Sequence, residues 1–250
     1  MPRYSSRYGA SSSAFSFGPG PLSTALKFLI GANVALFVAQ LVVGPSLTYA
    51  FGLMPSAVIR DLRVWQLVTY MFLHGGVLHI LFNMLALWMF GTELERMWGT
   101  RYFLKFYFVT GIGAAVLTVL FSLLPFDFAE ALRGSVVIGA SGAIYGLLLA
   151  FGMYFPDRPI YMYLVFPIPA KYFVMIMGAL AFYASLGESG VANATHLGGL
   201  VVGYLYLKSG GAHPLSEIKY RYLKWKINRV RKKFDVYSGG RRNDWDRRVH

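Results

Sequence analysis

The chain contains no cysteine. A disulfide, a thiolate metal ligand and a cysteine nucleophile are therefore excluded, and the redox compartment stays open. Charge is scarce too: Asp, Glu, Lys and Arg make up 14% of the residues, against about a quarter in soluble domains, while 56% are hydrophobic. Acid is scarcest, with 11 residues against 24 bases. A soluble globular domain is excluded, and the expected fold class is all-α, a polytopic membrane protein.

At about 20 residues per span, the apolar runs read as six, over residues 22–43, 77–91, 102–124, 136–155, 172–186 and 193–207. The first run begins after about 20 residues and no A-x-A site follows it, so it reads as a span that is retained rather than a cleaved signal. Residues 1–20 carry little apolar surface and are expected to form a disordered cytoplasmic tail; 21–209 form the six-helix core, and 210–250 a basic cytoplasmic tail.

The formal charge of +13 is concentrated at one end, because from Lys208 onward thirteen Lys and Arg face four Asp and Glu, which places +9 of it there. A basic block directly after a final span fits a cytoplasmic flank beside anionic lipid rather than a nucleic-acid reader. With six spans both termini are then inside, as in a bacterial inner membrane. Residues 216–234 place Leu223, Ile227, Val230 and Phe234 at helical spacing, which reads equally as an amphipathic surface helix or a solvated basic flank. The loop over 44–73 is unusually apolar and is expected to form short interfacial helices, with Trp65 at headgroup level.

Polar groups inside spans are costly, so each is a candidate for function. They are His74, His79 and Asn83 in HGGVLHILFN, Ser141 and Tyr145 in GASGAIYG, and Asn193, Thr195 and His196 in NATHLGG. Singly, each is more commonly a packing residue, and a serine among glycines most commonly marks a helix contact. Depth alters that reading. The second, fourth and sixth spans run in the same direction, and His79, Asn83, Ser141 and His196 all lie in their first turns. At about 1.5 Å per residue they share one layer roughly 10 Å thick below the outer surface.

Spacing adds chemistry. Gly142 and Gly146 form one close-packing face and Gly199 and Gly203 another, so a hydroxyl and an imidazole can meet between the two helices. Serine needs a base within about 3.2 Å, and His196 is the candidate. No carboxylate lies in the layer, so a Ser/His dyad is expected. Tyr145, on the Ser141 face, is placed to stack on the imidazole. His79, Asn83 and the Ser141 N–H are the available oxyanion donors. Other motifs fit less well: Gly-x-Ser-x-Gly fails at Ala143, and the spacing of His74 and His79 does not match a zinc pair.

At these residues the sequence resembles the rhomboid family of intramembrane serine proteases. HGGVLHILFN, GASGAIYG and ATHLGGLVVG match its motifs in order, and GTELE at 91–95 resembles its G-x-x-x-E element. The resemblance implies a six-helix bundle without cofactor or metal. Ser141 would be nucleophile, His196 base, Tyr145 a stacking support, and His79 and Asn83 the oxyanion lining. The implied partners are single-span transmembrane proteins, admitted from the lipid past the fifth span and the loop at 186–194. Two positions depart from the family pattern: Gln66 stands where many members have Arg, and Thr195 where Ala is usual. A silent family member that only binds transmembrane helices is the alternative, and a channel or transporter a third class. For the protease, the rate is expected to fall on acidification, because imidazolium cannot accept the serine proton.

Overall fold

The computed structural model describes residues 20–162, 166–185, 191–209 and 229. The expected tail features at 1–19 and, residue 229 apart, over 216–234, together with part of the loop at 186–194, lie outside the described residues.

Among the described residues, three helices are long and apolar enough to cross a membrane: α1 (Thr24–Val43), α5 (Val77–Trp98) and α6 (Thr100–Phe121). Between α1 and α5 come three short helices, α2 (Pro45–Phe51), α3 (Pro55–Arg60) and α4 (Gln66–Thr69), with a 3₁₀ turn at Tyr70–Phe72. After α6 follow α7 (Asp127–Gly134), α8 (Ser141–Tyr154), a two-stranded hairpin of β1 (Pro159–Met162) and β2 (Phe166–Pro169), α9 (Ala170–Ser185) and α10 (Val191–Lys208).

Helix boundaries follow local chemistry. Ser23 caps α1 by accepting from the Leu26 N–H at 3.1 Å, and Pro45 and Pro55 open α2 and α3 where a missing N–H costs nothing. Gly99 alone separates α5 from α6. Buried Glu95 ties three helices at this end, accepting from Ser23 at the start of α1 and from Thr100 at the start of α6. Gly91, one turn earlier, lets Leu26 of α1 pack directly on α5.

Short α8 sits in the middle, packed by α10, α6, α5 and α9. Its buried residues run almost around the helix, from Gly142 to Phe151. Helix α1 lies at the edge, and much of its apolar surface is outward: Phe28 is 73% exposed and Val42 is 81%. Such a surface is stable against lipid and a liability against water.

Three expectations change. The fourth apolar run divides: 136–138 is extended, Val137 and Leu53 exchange main-chain hydrogen bonds, the chain bends at Gly139, and the helix starts only at Ser141. The second span runs past residue 91 to Trp98, because its late polar side chains find partners in Ser23, Thr100 and Arg158. The hairpin before α9 carries no signal that the apolar periodicity picks out, since prolines sit at both of its outer ends.

The loop over 44–73 is organised by Gln66, which is fully buried. Its Oε1 accepts from the Met54 N–H at 3.1 Å, and its Nε2 donates to the Tyr49 and Ala50 carbonyls at 3.3 Å. The indole N–H of half-exposed Trp65 donates to the same Ala50 carbonyl at 3.0 Å. Gln66→Leu keeps the volume and strands these main-chain groups. It is expected to lower stability by about 2 to 3 kcal/mol in a detergent melt, and a wild-type melting curve would sink this account of the loop.

Candidate active site

The approach to Ser141 is set by Gly139, whose φ of +127° is a conformation that side chains rarely adopt. The Gly139 N–H donates to the Tyr70 carbonyl at 2.9 Å, which fixes the extended segment against the loop before α5. The chain then turns into α8 with Ser141 as its first residue. Ile144 makes the first bond of that helix, to the Ala140 carbonyl, so the N–H groups of Ser141, Gly142 and Ala143 have no main-chain acceptor among the described residues.

His196 lies in the second turn of α10, and its Nε2 is 2.7 Å from Ser141 Oγ. Tyr145 stacks on the imidazole, with ring centroids 4.4 Å apart and planes 6° from parallel. The other ring nitrogen, Nδ1, is buried without a hydrogen-bond partner among the described residues. Orientation of the ring therefore comes from the stack and from the position of α10.

That position comes from glycines. Gly199 rests against the main chain of Gly142, a Cβ on Gly203 would lie 3.2 Å from Gly146 Cα, and a Cβ on Gly198 would lie 3.1 Å from Ala114 Cα in α6. A polar contact joins α10 to α6: Thr195 Oγ1 is 2.8 Å from Thr118 Oγ1, both buried. Thr118 also donates to the Ala114 carbonyl, so the shared proton comes from Thr195. The Thr195 hydroxyl thus bonds across to α6, neither to His196 nor within its own helix.

His79 brings a second imidazole to the same place. Its Nδ1 accepts from the Gly75 N–H at 3.2 Å, which assigns the hydrogen to Nε2. A Cβ on Gly139 would stand 2.9 Å from this Nε2 and 3.5 Å from Ser141 Oγ. The absent side chain thus leaves a small space bounded by an N–H donor and the serine hydroxyl. Asn83, one turn deeper, donates to the His79 carbonyl at 2.8 Å, which leaves one amide hydrogen for anything else.

His74 is brought close but stays apart from the pair, its ring 5.0 Å from that of His79 and edge-on to it. It lines an open cavity of about 740 Å³ whose walls include Phe37, Gln40, Tyr49, Val136 and Ile138. Val136 and Ile138 flank the residue bonded to Leu53, and their own main-chain groups take no part in that pairing. Sequence reasoning missed the roles of Gly139 and Thr118, and met Gln66 only as a departure from the family pattern. Gly139 carried a signal, as the first glycine of GASG.

A multi-pass helical membrane bundle with a serine hydroxyl and an imidazole in contact between two close-packed helices defines the class. The Rhomboid domain family matches residues 61–210, more than half of the chain, and the protein belongs to that family. It is 36% identical over 155 residues to the Rhomboid protease GluP of Bacillus subtilis, covering 62% of this chain and 28% of that protein. Rhomboid protein 1, mitochondrial, of Saccharomyces cerevisiae is 36% identical over 138 residues, 54% of this chain and 38% of the relative. The Rhomboid protease GlpG of Yersinia pestis is 28% identical over 189 residues, 74% of this chain and 61% of that protein. The chain spans less than two thirds of the length of each of these relatives.

Proposed function

We propose that the protein is an intramembrane serine endopeptidase that cleaves membrane-anchored proteins in or near their transmembrane segment. The observation that carries this reading is the 2.7 Å contact between Ser141 Oγ and His196 Nε2, beside a space that the His79 Nε2–H also faces. Ser141 attacks the scissile carbonyl while His196 takes the hydroxyl proton. The developing oxyanion is met by the Ser141 N–H and the His79 Nε2–H, with the second Asn83 amide hydrogen within the same helix turn. The His196 imidazolium then protonates the leaving amine, and water, deprotonated by the same imidazole, releases the acyl group. No metal or cofactor is needed for these steps.

The main-chain groups of Val136 and Ile138, unpaired among the described residues, support an extended peptide as substrate, because they offer a strand edge three to five residues before the nucleophile. The adjoining cavity is wide enough to receive its side chains. In our reading both termini are cytoplasmic in a bacterial inner membrane, the site opens to the extracytoplasmic side, and the basic C-terminal tail lies on the anionic leaflet. Reconstitution with single-span reporters tests the reading: cleavage is expected inside or beside the reporter span, with a fluorophosphonate probe attached at Ser141. A protein that binds the reporters, leaves them whole and takes no probe is a silent helix-binding member.

Tyr145 separates stacking from hydroxyl chemistry. Tyr145→Phe keeps the ring and is expected to retain nearly full kcat/KM, whereas Tyr145→Ala removes it and is expected to cost roughly tenfold. Equal losses in both would mean that the phenol oxygen matters rather than the stack.

A further inference from the structure

Lys105 and Arg101 occupy neighbouring turns of one α6 face, Arg101 exposed and Lys105 partly buried. Lys105 Nζ stands 5.8 Å from the centroid of the Tyr206 ring of α10. Among the described residues, neither base forms an ion pair. The described acids are engaged or distant. Glu93 holds Arg96 and Arg158, Glu95 holds Ser23 and Thr100, Asp157 holds Lys171, and Asp61 holds Arg63. Asp127 and Glu130 lie in α7, beyond the opposite end of α6. Two cations on a helix long and apolar enough to span thus form no ion pair with a described acid, a costly arrangement beside hydrocarbon.

Their neighbours mark a depth. Trp98 packs on Tyr102 and Tyr154 at 5.1 and 5.6 Å between ring centroids, and Tyr102 lies 5.8 Å from Tyr206. Clustered Trp and Tyr rings belong at the headgroup level. From Lys105 the same α6 face continues through Val109, Ile112, Val116 and Leu120, the last two exposed. At 1.5 Å per residue, Lys105 to Val116 covers about 16 Å, close to half of the ~30 Å hydrocarbon core. A positive site at headgroup depth therefore stands at one end of an apolar strip about one acyl chain long.

We propose that Arg101 and Lys105 bind the phosphodiester of an anionic phospholipid whose acyl chain lies along α6. The proposal is independent of the protease reading. A soluble phosphate would meet the two cations but leave the strip unused, so the lipid is the ligand that matches both features.

The test uses the full chain in nanodiscs of phosphatidylcholine with a rising fraction of phosphatidylglycerol, with retained lipid counted by native mass spectrometry. The wild-type protein is expected to retain phosphatidylglycerol over phosphatidylcholine by roughly thirtyfold, as two membrane-surface cations provide. R101Q/K105Q is expected to lower that ratio by about that factor, the single K105E to lower it in part, and R101K/K105R to keep it. A tail variant, R231Q/K232Q/K233Q, is expected to lower it by less than R101Q/K105Q does, through the tail's own contact with the anionic leaflet. An unchanged preference in R101Q/K105Q at a wild-type melting temperature would overturn the proposal. So would loss of the preference in the tail variant, or displacement of the retained lipid by millimolar glycerol phosphate.

Discussion

Ser141→Ala is expected to lose cleavage of a reporter span by roughly 10⁴- to 10⁶-fold and to lose labelling by a fluorophosphonate altogether. The fold should survive, because the hydroxyl is bonded only to His196 among the described side chains, and α8 is held by apolar and glycine contacts that the substitution leaves in place. A melting temperature within a few degrees of wild type is therefore part of the expected result. His196→Ala should lose a comparable factor, since the hydroxyl then has no base. The double variant should be no worse than either single one, as expected for two groups acting in one step. Near wild-type turnover in Ser141→Ala would remove the dyad from the mechanism.

Gly199→Ala is expected to reduce turnover by about 100-fold without touching a reacting atom. A Cβ at this position would overlap the Gly142 carbonyl oxygen, which belongs to the residue after the nucleophile. Main-chain atoms cannot rotate away as a side chain can, so α10 must move off α8. A shift of about 1 Å takes the Ser141–His196 contact out of hydrogen-bond range, and displacement on that scale is known to cost about that factor. Overpacking should also cost about 1 to 3 kcal/mol of stability. Gly31→Ala is the matched control, because no atom lies within 4 Å of its Cβ position. It should be neutral or slightly stabilising, since alanine favours a helix more than glycine does. If Gly199→Ala turns over like Gly31→Ala, close approach of α8 and α10 does not govern the site.

The arrangement of the candidate site was legible because its signals are local. Ser141 and Tyr145 are one helical turn apart, as are Gly142 and Gly146, and Gly199 and Gly203, so a face can be read from spacing alone. The common depth of His79, Asn83, Ser141 and His196 followed from the order of the apolar runs. What spacing does not contain is main-chain conformation. The run over 136–155 is apolar throughout, and hydrophobicity does not distinguish an edge segment from the first turn of a helix. Gly139 makes that distinction through its positive φ and through the contact that it leaves open to His79.

Pairings between distant residues were equally hidden. Gln66 differs from the arginine common in the family, yet its amide bonds both main-chain directions of the loop that surrounds it. Thr195 gained a meaning only when Thr118, on another helix, stood 2.8 Å away.

The sequence by itself determined an all-α membrane bundle, its close-packing faces and the layer in which polar groups collect. Those properties follow from composition and from the helical repeat, which act on neighbouring residues. Only the tertiary structure decided that Ser141 Oγ and His196 Nε2 stand 2.7 Å apart, that the hydrogen of His79 is on Nε2, and that the Ser141 N–H has no main-chain acceptor among the described residues. Those are properties of three helices and one extended segment packed together, and each depends on where a glycine lets one main chain come close to another.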